Sequence, residues 1–173
     1  MKKQLIKLTA FLAVVFFIGF ICPAVAAEKN AQKNICILFD NGVNGLEARQ
    51  VKSQTRLADW MQDDLVRVFA RYAKTGYQAK LIEKRKDFSA QPNEYLLTVK
   101  IIEYRPGSKA ARIIVGYGAG GVALKIHYEL SANGRDMILT KDDSTYSGRE
   151  WINAARKLNQ NIAKAVTEKL NDK

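Results

Sequence analysis

Between Gln54 and Gly76 the apolar residues fall at steps of three and four: Leu57, Trp60, Met61, Leu65, Val68, Phe69 and Tyr72. That spacing predicts an amphipathic helix, with Asp59, Asp63, Asp64, Arg67 and Arg71 on its other face and Gly76 as its C-cap. A second stripe of the same period, Trp151, Ala154, Ala155, Leu158, Ile162, Ala165, Val166 and Leu170, predicts a C-terminal helix. Elsewhere the period is two, or the apolar run is short. Ile35–Phe39, closed by Asp40-Asn41-Gly42, reads as a buried first strand, and Tyr77–Ile82 as a second. In the next, Tyr95, Leu97, Val99 and Ile101 point one way and Leu96, Thr98, Lys100 and Ile102 the other. Arg105-Pro106-Gly107-Ser108 suits a type II turn, because Pro sets φ at the first central position and Gly accepts positive φ at the second. Asn133-Gly134 is the strongest hairpin signal, since both residues tolerate the positive φ of a two-residue turn. It returns the chain into a strand over Asp136–Tyr146, which Gly148 ends.

The order strand, helix, several strands in hairpins, helix predicts an α+β domain: a mostly antiparallel β-sheet of about five strands with two amphipathic helices packed on one face. One domain spans 35–173, preceded by a polar, lysine-rich and loose stretch at 27–34. Residues 1–26 have the layout of a cleaved signal peptide. Lys2, Lys3 and Lys7 precede an uncharged apolar run from Leu8 to Ile21, and Pro23-Ala24-Val25-Ala26-Ala27 supplies small residues for cleavage after Ala26. The run is shorter than the ~18 residues expected of a membrane span. Cys22 is a poor lipid-attachment site, with bulky Ile21 before it and Pro23 after it, so a soluble periplasmic protein is expected. Cleavage leaves roughly 150 residues, enough for one core without staples, and only Cys36, which excludes an intramolecular disulfide and reads as a small apolar strand residue.

From Arg112 to Leu130 the chain keeps its alternation through four glycines, Gly116, Gly118, Gly120 and Gly121. One long strand with a smooth middle and two strands joined at Gly118–Gly121 both fit. Gly116-Tyr117-Gly118-Ala119-Gly120-Gly121 matches a dinucleotide-binding pattern, but that mechanism needs a helix right after the glycines, and Val122–Leu130 alternates instead. The glycines are then places where a helix or another backbone approaches the sheet closely.

Residues for acid–base or metal chemistry are scarce. His127 is the only histidine, placed beside Lys125 and Glu129 on the polar face of a strand. A cleft bringing it to Cys36, a serine or a carboxylate would be needed for hydrolysis. Ligand pairs at zinc spacing are absent, and Asp63-Asp64 and Asp142-Asp143 lack a calcium-loop pattern, so they read as solvated acids. Neither catalytic residues, nor metal ligands, nor a cofactor are assigned. The chain is strongly basic, with 28 Lys and Arg against 17 Asp and Glu and a formal charge of +11. Without a nucleic-acid motif beside it, this charge points to an anionic envelope component or to a solvated face.

Tyr95-Leu96-Leu97, then Tyr104-Arg105-Pro106-Gly107-Ser108, then Ala111-Arg112-Ile113-Ile114-Val115-Gly116-Tyr117-Gly118-Ala119-Gly120 resembles a family of uncharacterised bacterial envelope proteins. This family, the domain of unknown function 4410, is often described as lipoproteins. The resemblance is strong over about Tyr95–Leu139 and implies no catalytic residues. The expected function is a non-enzymatic binding or assembly module. Its docking or packing segment would be Arg112, Gly116, Tyr117, Gly118, Gly120 and Gly121, its partner an envelope protein or an anionic envelope component, with peripheral membrane association open and no nucleic acid. The rival expectations are a periplasmic hydrolase using His127 and a purely structural oligomer subunit.

Overall fold

The computed structural model describes residues 32–72, 76–107, 120–148 and 150–172. Strand β1 (Lys33–Asp40) is followed by helix α1 (Ala48–Ala70), β2 (Tyr77–Ile82), a short 3-10 turn (Arg85–Asp87), β3 (Glu94–Arg105), β4 (Val122–Ala132), β5 (Asp136–Ser147) and helix α2 (Trp151–Asn171). The five strands form one sheet in the order β2-β1-β3-β4-β5. The expected α+β class, strand number and helix number hold, and the sheet is mixed. β1 runs parallel to both β2 and β3, whereas β3, β4 and β5 pair antiparallel. Parallel pairing follows from α1: a helix between two neighbouring strands carries the chain back to the end from which it started.

α2 matches its apolar stripe to within one residue, whereas α1 begins well ahead of its own. α1 starts at Ala48, ahead of the stripe, because Glu47 and Gln50 form a reciprocal capping box in which the Glu47 N–H donates to the Gln50 side chain at 3.1 Å. This satisfies amides that a polar first turn would otherwise leave unpaired. At the other end the C-cap is Arg71, not Gly76. Gly76, at φ +86°, instead turns the chain into β2, and its carbonyl accepts from the Lys33 N–H at 2.7 Å. β1 likewise begins at Lys33, two residues into the stretch expected to be loose.

The core is one cluster. Ile35 and Ile37 of β1, Leu97, Val99 and Ile101 of β3, and Leu124, Ile126, Tyr128 and Leu130 of β4 share it with Leu57, Met61, Leu65 and Phe69 of α1 and Ala155, Leu158, Ile162 and Val166 of α2. Each of the larger residues contributes about 1.5–3 kcal/mol by leaving water. Asp64 corrects the expectation of a solvated acid. It is buried in the seam between the helices, where it accepts from the Asn159 amide at 3.0 Å; the same amide donates to the Met61 carbonyl at 3.0 Å.

Among the described residues, the second sheet face is buried at one end. Since β2 and β3 flank β1 and run parallel to it, the connection from Ile82 to Glu94 must recross β1, and the helices occupy the core face. Cys36, Leu96 and Ser131 are buried on the opposite face, and burial raises the Cys36 thiol pKa. The connection reaches the β4–β5 turn, where the Arg85 guanidinium donates to the Gly134 carbonyl at 2.7 Å and the Phe88 ring lies against Gly134. That turn is as the sequence predicts: Asn133 and Gly134 have φ of +52° and +67°, and the Arg135 N–H donates to the Ala132 carbonyl at 3.1 Å.

Candidate functional site

The ends of β3 and β4 meet at glycines. Gly107 has φ +76°, as the Pro-Gly turn requires, and a Cβ there would stand 2.5 Å from the Gly120 carbonyl oxygen. The two backbones are therefore in contact, an approach that any side chain would block. Gly120 is itself in the left-handed region at φ +66°, so β4 begins after a turn, at Val122. A Cβ on Gly121 would overlap the ring and hydroxyl of Tyr146, which crosses it from β5. Of the residues assigned to the docking or packing segment, Gly120 and Gly121 thus make close contacts with other parts of the chain. Arg112, Gly116, Tyr117 and Gly118 lie outside the described residues, as do the signal-peptide residues 1–26 and Cys22.

Next to this closure, between the first turns of α1 and the end of β3, is a cavity of about 430 Å³ lined by Leu46, Arg49, Gln50, Ser53, Gln54, Tyr104, Pro106 and Gly107. A second hollow of about 370 Å³ shares Arg49, Ser53, Tyr104 and Pro106 with it and extends to Lys52, Arg56 and Trp151. Arg49, Lys52 and Arg56 are spaced at i, i+3 and i+7 and so lie on one face of α1. Arg49, in the first turn, runs against the helix dipole at a cost of about 0.3–1 kcal/mol, and α1 carries no acid in its first turn. Ser53 and Tyr104 line both hollows; burial raises the Tyr104 phenol pKa, while the neighbouring Ser53 hydroxyl and the Arg56 charge oppose the rise.

The floor of this corner is aromatic. Trp60 and Trp151 meet edge to face with centroids 5.8 Å apart. The Arg56 guanidinium stands 6.0 Å from the Trp151 ring and that of Arg156 5.8 Å from Trp60. Of the aromatics of the α1 stripe, Phe69 is fully buried, and Trp60 and Tyr72 pack against the core from its edge. Arg49, Lys52 and Arg56 lie outside the apolar stripe from which this helix is predicted. Three cations at i, i+3 and i+7 over the first turns of a helix whose first turn holds no acid were the signal that could have found them.

His127 lies on the open sheet face, in a row that crosses four strands: Asp40, Lys100, His127 and Asp142. Its Nδ1 is 2.6 Å from Asp142 Oδ1 and its Nε2 3.1 Å from Glu129 Oε1. Lys125 reaches Asp142 at 3.2 Å and Lys100 reaches Asp40 at 3.5 Å. With a carboxylate on each ring nitrogen, both nitrogens serve best as donors, and the hydrogen bond to Asp142, then that to Glu129, raises the His127 pKa. The same bond lowers that of Asp142. His127 is therefore an ion-pair member with a carboxylate on each ring nitrogen.

The paired acids do not converge on a cation. Successive strand residues point to opposite faces, so Asp142 meets His127 while Asp143 accepts from Asn161 of α2 at 2.8 Å. Among the described residues no three potential ligands cluster, and no helix is long and apolar enough to cross a membrane.

These features define an α+β domain that presents a glycine closure and a cationic, aromatic corner at one end of its sheet. The chain belongs to the family of the domain of unknown function 4410 (DUF4410), whose model matches residues 40–169. No curated protein sequence matches it. Among solved structures, a PelC dodecamer from Paraburkholderia phytofirmans is similar at a TM-score of 0.51 and 12% identity, over 81% of this chain and 89% of that one. The hypothetical protein CT253 from Chlamydia trachomatis gives 0.48 at 9% identity, over 83% and 100%. Lipoprotein GNA1162 from Neisseria meningitidis gives 0.42 at 12% identity, over 82% and 99%. At these identities the PelC likeness is one of fold.

Proposed function

We propose that this chain is an exported, non-enzymatic binding or assembly module of the bacterial cell envelope, which docks a partner protein or an anionic envelope component at the glycine-rich end of β3 and β4. The observation that carries this reading is the contact of Gly107 with Gly120, which brings the two ends of segment 108–119 together beside the cationic corner. Arg112 and Tyr117 are the docking side chains, on chemical grounds: a guanidinium and a phenol on smooth backbone offer directed polar contacts and a large contact area. Export rests on the signal-peptide layout of residues 1–26 and on the family. A structural role in an oligomer is the second reading, favoured by the outer positions of β2 and β5 in the sheet and by the dodecameric state of PelC.

The test is site-specific photo-cross-linking in cells. A photoreactive residue at position 117 is expected to give adducts of discrete mass in the envelope fraction, on a chain cleaved after Ala26, while one at the exposed position 168 of α2 gives none. Adducts to a second copy of the chain select the oligomer reading. Identical adducts from both positions, or none from position 117, refute docking.

A further inference from the structure

The two hollows between α1 and the end of β3 share a wall and are best understood together. Their combined space is that of a small-molecule site. What distinguishes them is charge: Arg49, Lys52 and Arg56 line them, and no carboxylate does. None of the three cations pairs with an acid among the described residues. The corner thus gathers three cations around one hollow with no carboxylate among the residues that line it.

We infer that this corner binds a phosphate-bearing ligand, held by Arg49, Lys52 and Arg56 and oriented by Ser53, Tyr104 and Trp151. Two guanidinium forks and an ammonium suit a group with several anionic oxygens, whereas a single carboxylate saturates one fork. Ser53 and Tyr104, which line both hollows, offer hydroxyl donors to a phosphate oxygen. Trp151 provides an apolar wall for the carbon part of an ester. The ligand is a phosphate ester, whether a soluble one or the headgroup of a phospholipid. This inference rests on reading this end of the sheet as the binding end and supplies the chemistry of an anionic component bound there.

Both tryptophans of the chain, Trp60 and Trp151, are in this corner, so intrinsic fluorescence reports on it without a label. Titration of the purified chain at low salt with glycerol 3-phosphate is expected to give a saturable change, and acetate none. The double variant Arg49→Gln/Lys52→Gln, altered at exposed positions and checked for an unchanged melting temperature, is expected to weaken binding by at least about tenfold. Lys141→Gln/Lys169→Gln, which removes the same charge elsewhere, should leave it unchanged. Sedimentation with phosphatidylglycerol vesicles, against phosphatidylcholine vesicles, identifies the source. Binding to the anionic vesicles that is lost in Arg49→Gln/Lys52→Gln assigns a lipid headgroup; a glycerol phosphate response without vesicle binding assigns a soluble ester. The absence of a saturable response to either probe overturns the proposal, as does equal loss in both double variants. Neither measurement uses a residue at position 117, so failure here leaves the docking reading standing, and failed cross-linking leaves this one standing.

Discussion

Gly107→Ala tests the closure on which the candidate site depends. An alanine there must adopt φ +76° and place its Cβ 2.5 Å from the Gly120 carbonyl oxygen. The left-handed conformation costs about 1–2 kcal/mol. Relieving the overlap costs about 1–3 kcal/mol more, because two backbones must part and no flexible side chain can yield instead. The reduced entropy of the unfolded chain returns about 0.4–1 kcal/mol. The net loss is roughly 1–4.6 kcal/mol, or a fall in melting temperature of about 3–15 °C for a domain of this size. Gly45→Ala is the matched control: Gly45 has φ +81° and nothing within 4 Å of a Cβ, so it carries the conformational cost alone. Urea unfolding followed by circular dichroism should show Gly107→Ala less stable than Gly45→Ala by about 1–3 kcal/mol. Equal losses in the two variants would mean that Gly107 and Gly120 are not in contact, and the account of the closure would fall.

Two further outcomes are expected. The His127 pKa is raised, so its contribution to stability is complete below the unfolded value of about 6.5 and is lost as pH rises through the folded one; the Asp142 pKa is lowered, so its contribution is present above the unfolded value of about 3.9 and is lost as pH falls. Their interaction therefore acts most fully between about pH 4 and 6.5. Because the pair is solvent-exposed the effect is small: melting temperature should decline by a few degrees at most above that window, and His127→Gln should flatten this decline. In the helix seam, Asp64→Leu removes an acceptor from the buried Asn159 amide and should cost about 1–3 kcal/mol in urea unfolding, whereas Asp64→Asn retains an acceptor and most of the stability. Equal losses would show that the seam depends on charge rather than on this hydrogen bond.

Elements governed by local chemistry were legible in the chain. Asn133, Gly134 and Gly107 took the positive φ angles their residue types predict, and the stripes from Leu57 to Phe69 and from Ala154 to Leu170 face the core. Asp64 was misplaced because an acid on the flank of one helix is solvated only if no second helix covers it, and α2 brings Asn159 there. The helix start was missed because Glu47 and Gln50 act through hydrogen bonds to the backbone, which leave no trace in apolar periodicity. Arg49, Lys52 and Arg56 escaped notice for a related reason: their meaning depends on what stands opposite them.

By itself the sequence determined which segments form helices and strands, where the tight turns fall, which side of each element is buried, and the family, since all of these follow from residue types at short spacing. Only the tertiary structure decided that β1 runs parallel to both its neighbours, that the β2–β3 connection recrosses β1, and that Arg56, Tyr104 and Trp151 share one corner. Short-range periodicity reports the face that an element turns inward. It carries no information on which distant element meets that face; that is settled when strands pair and helices close over them.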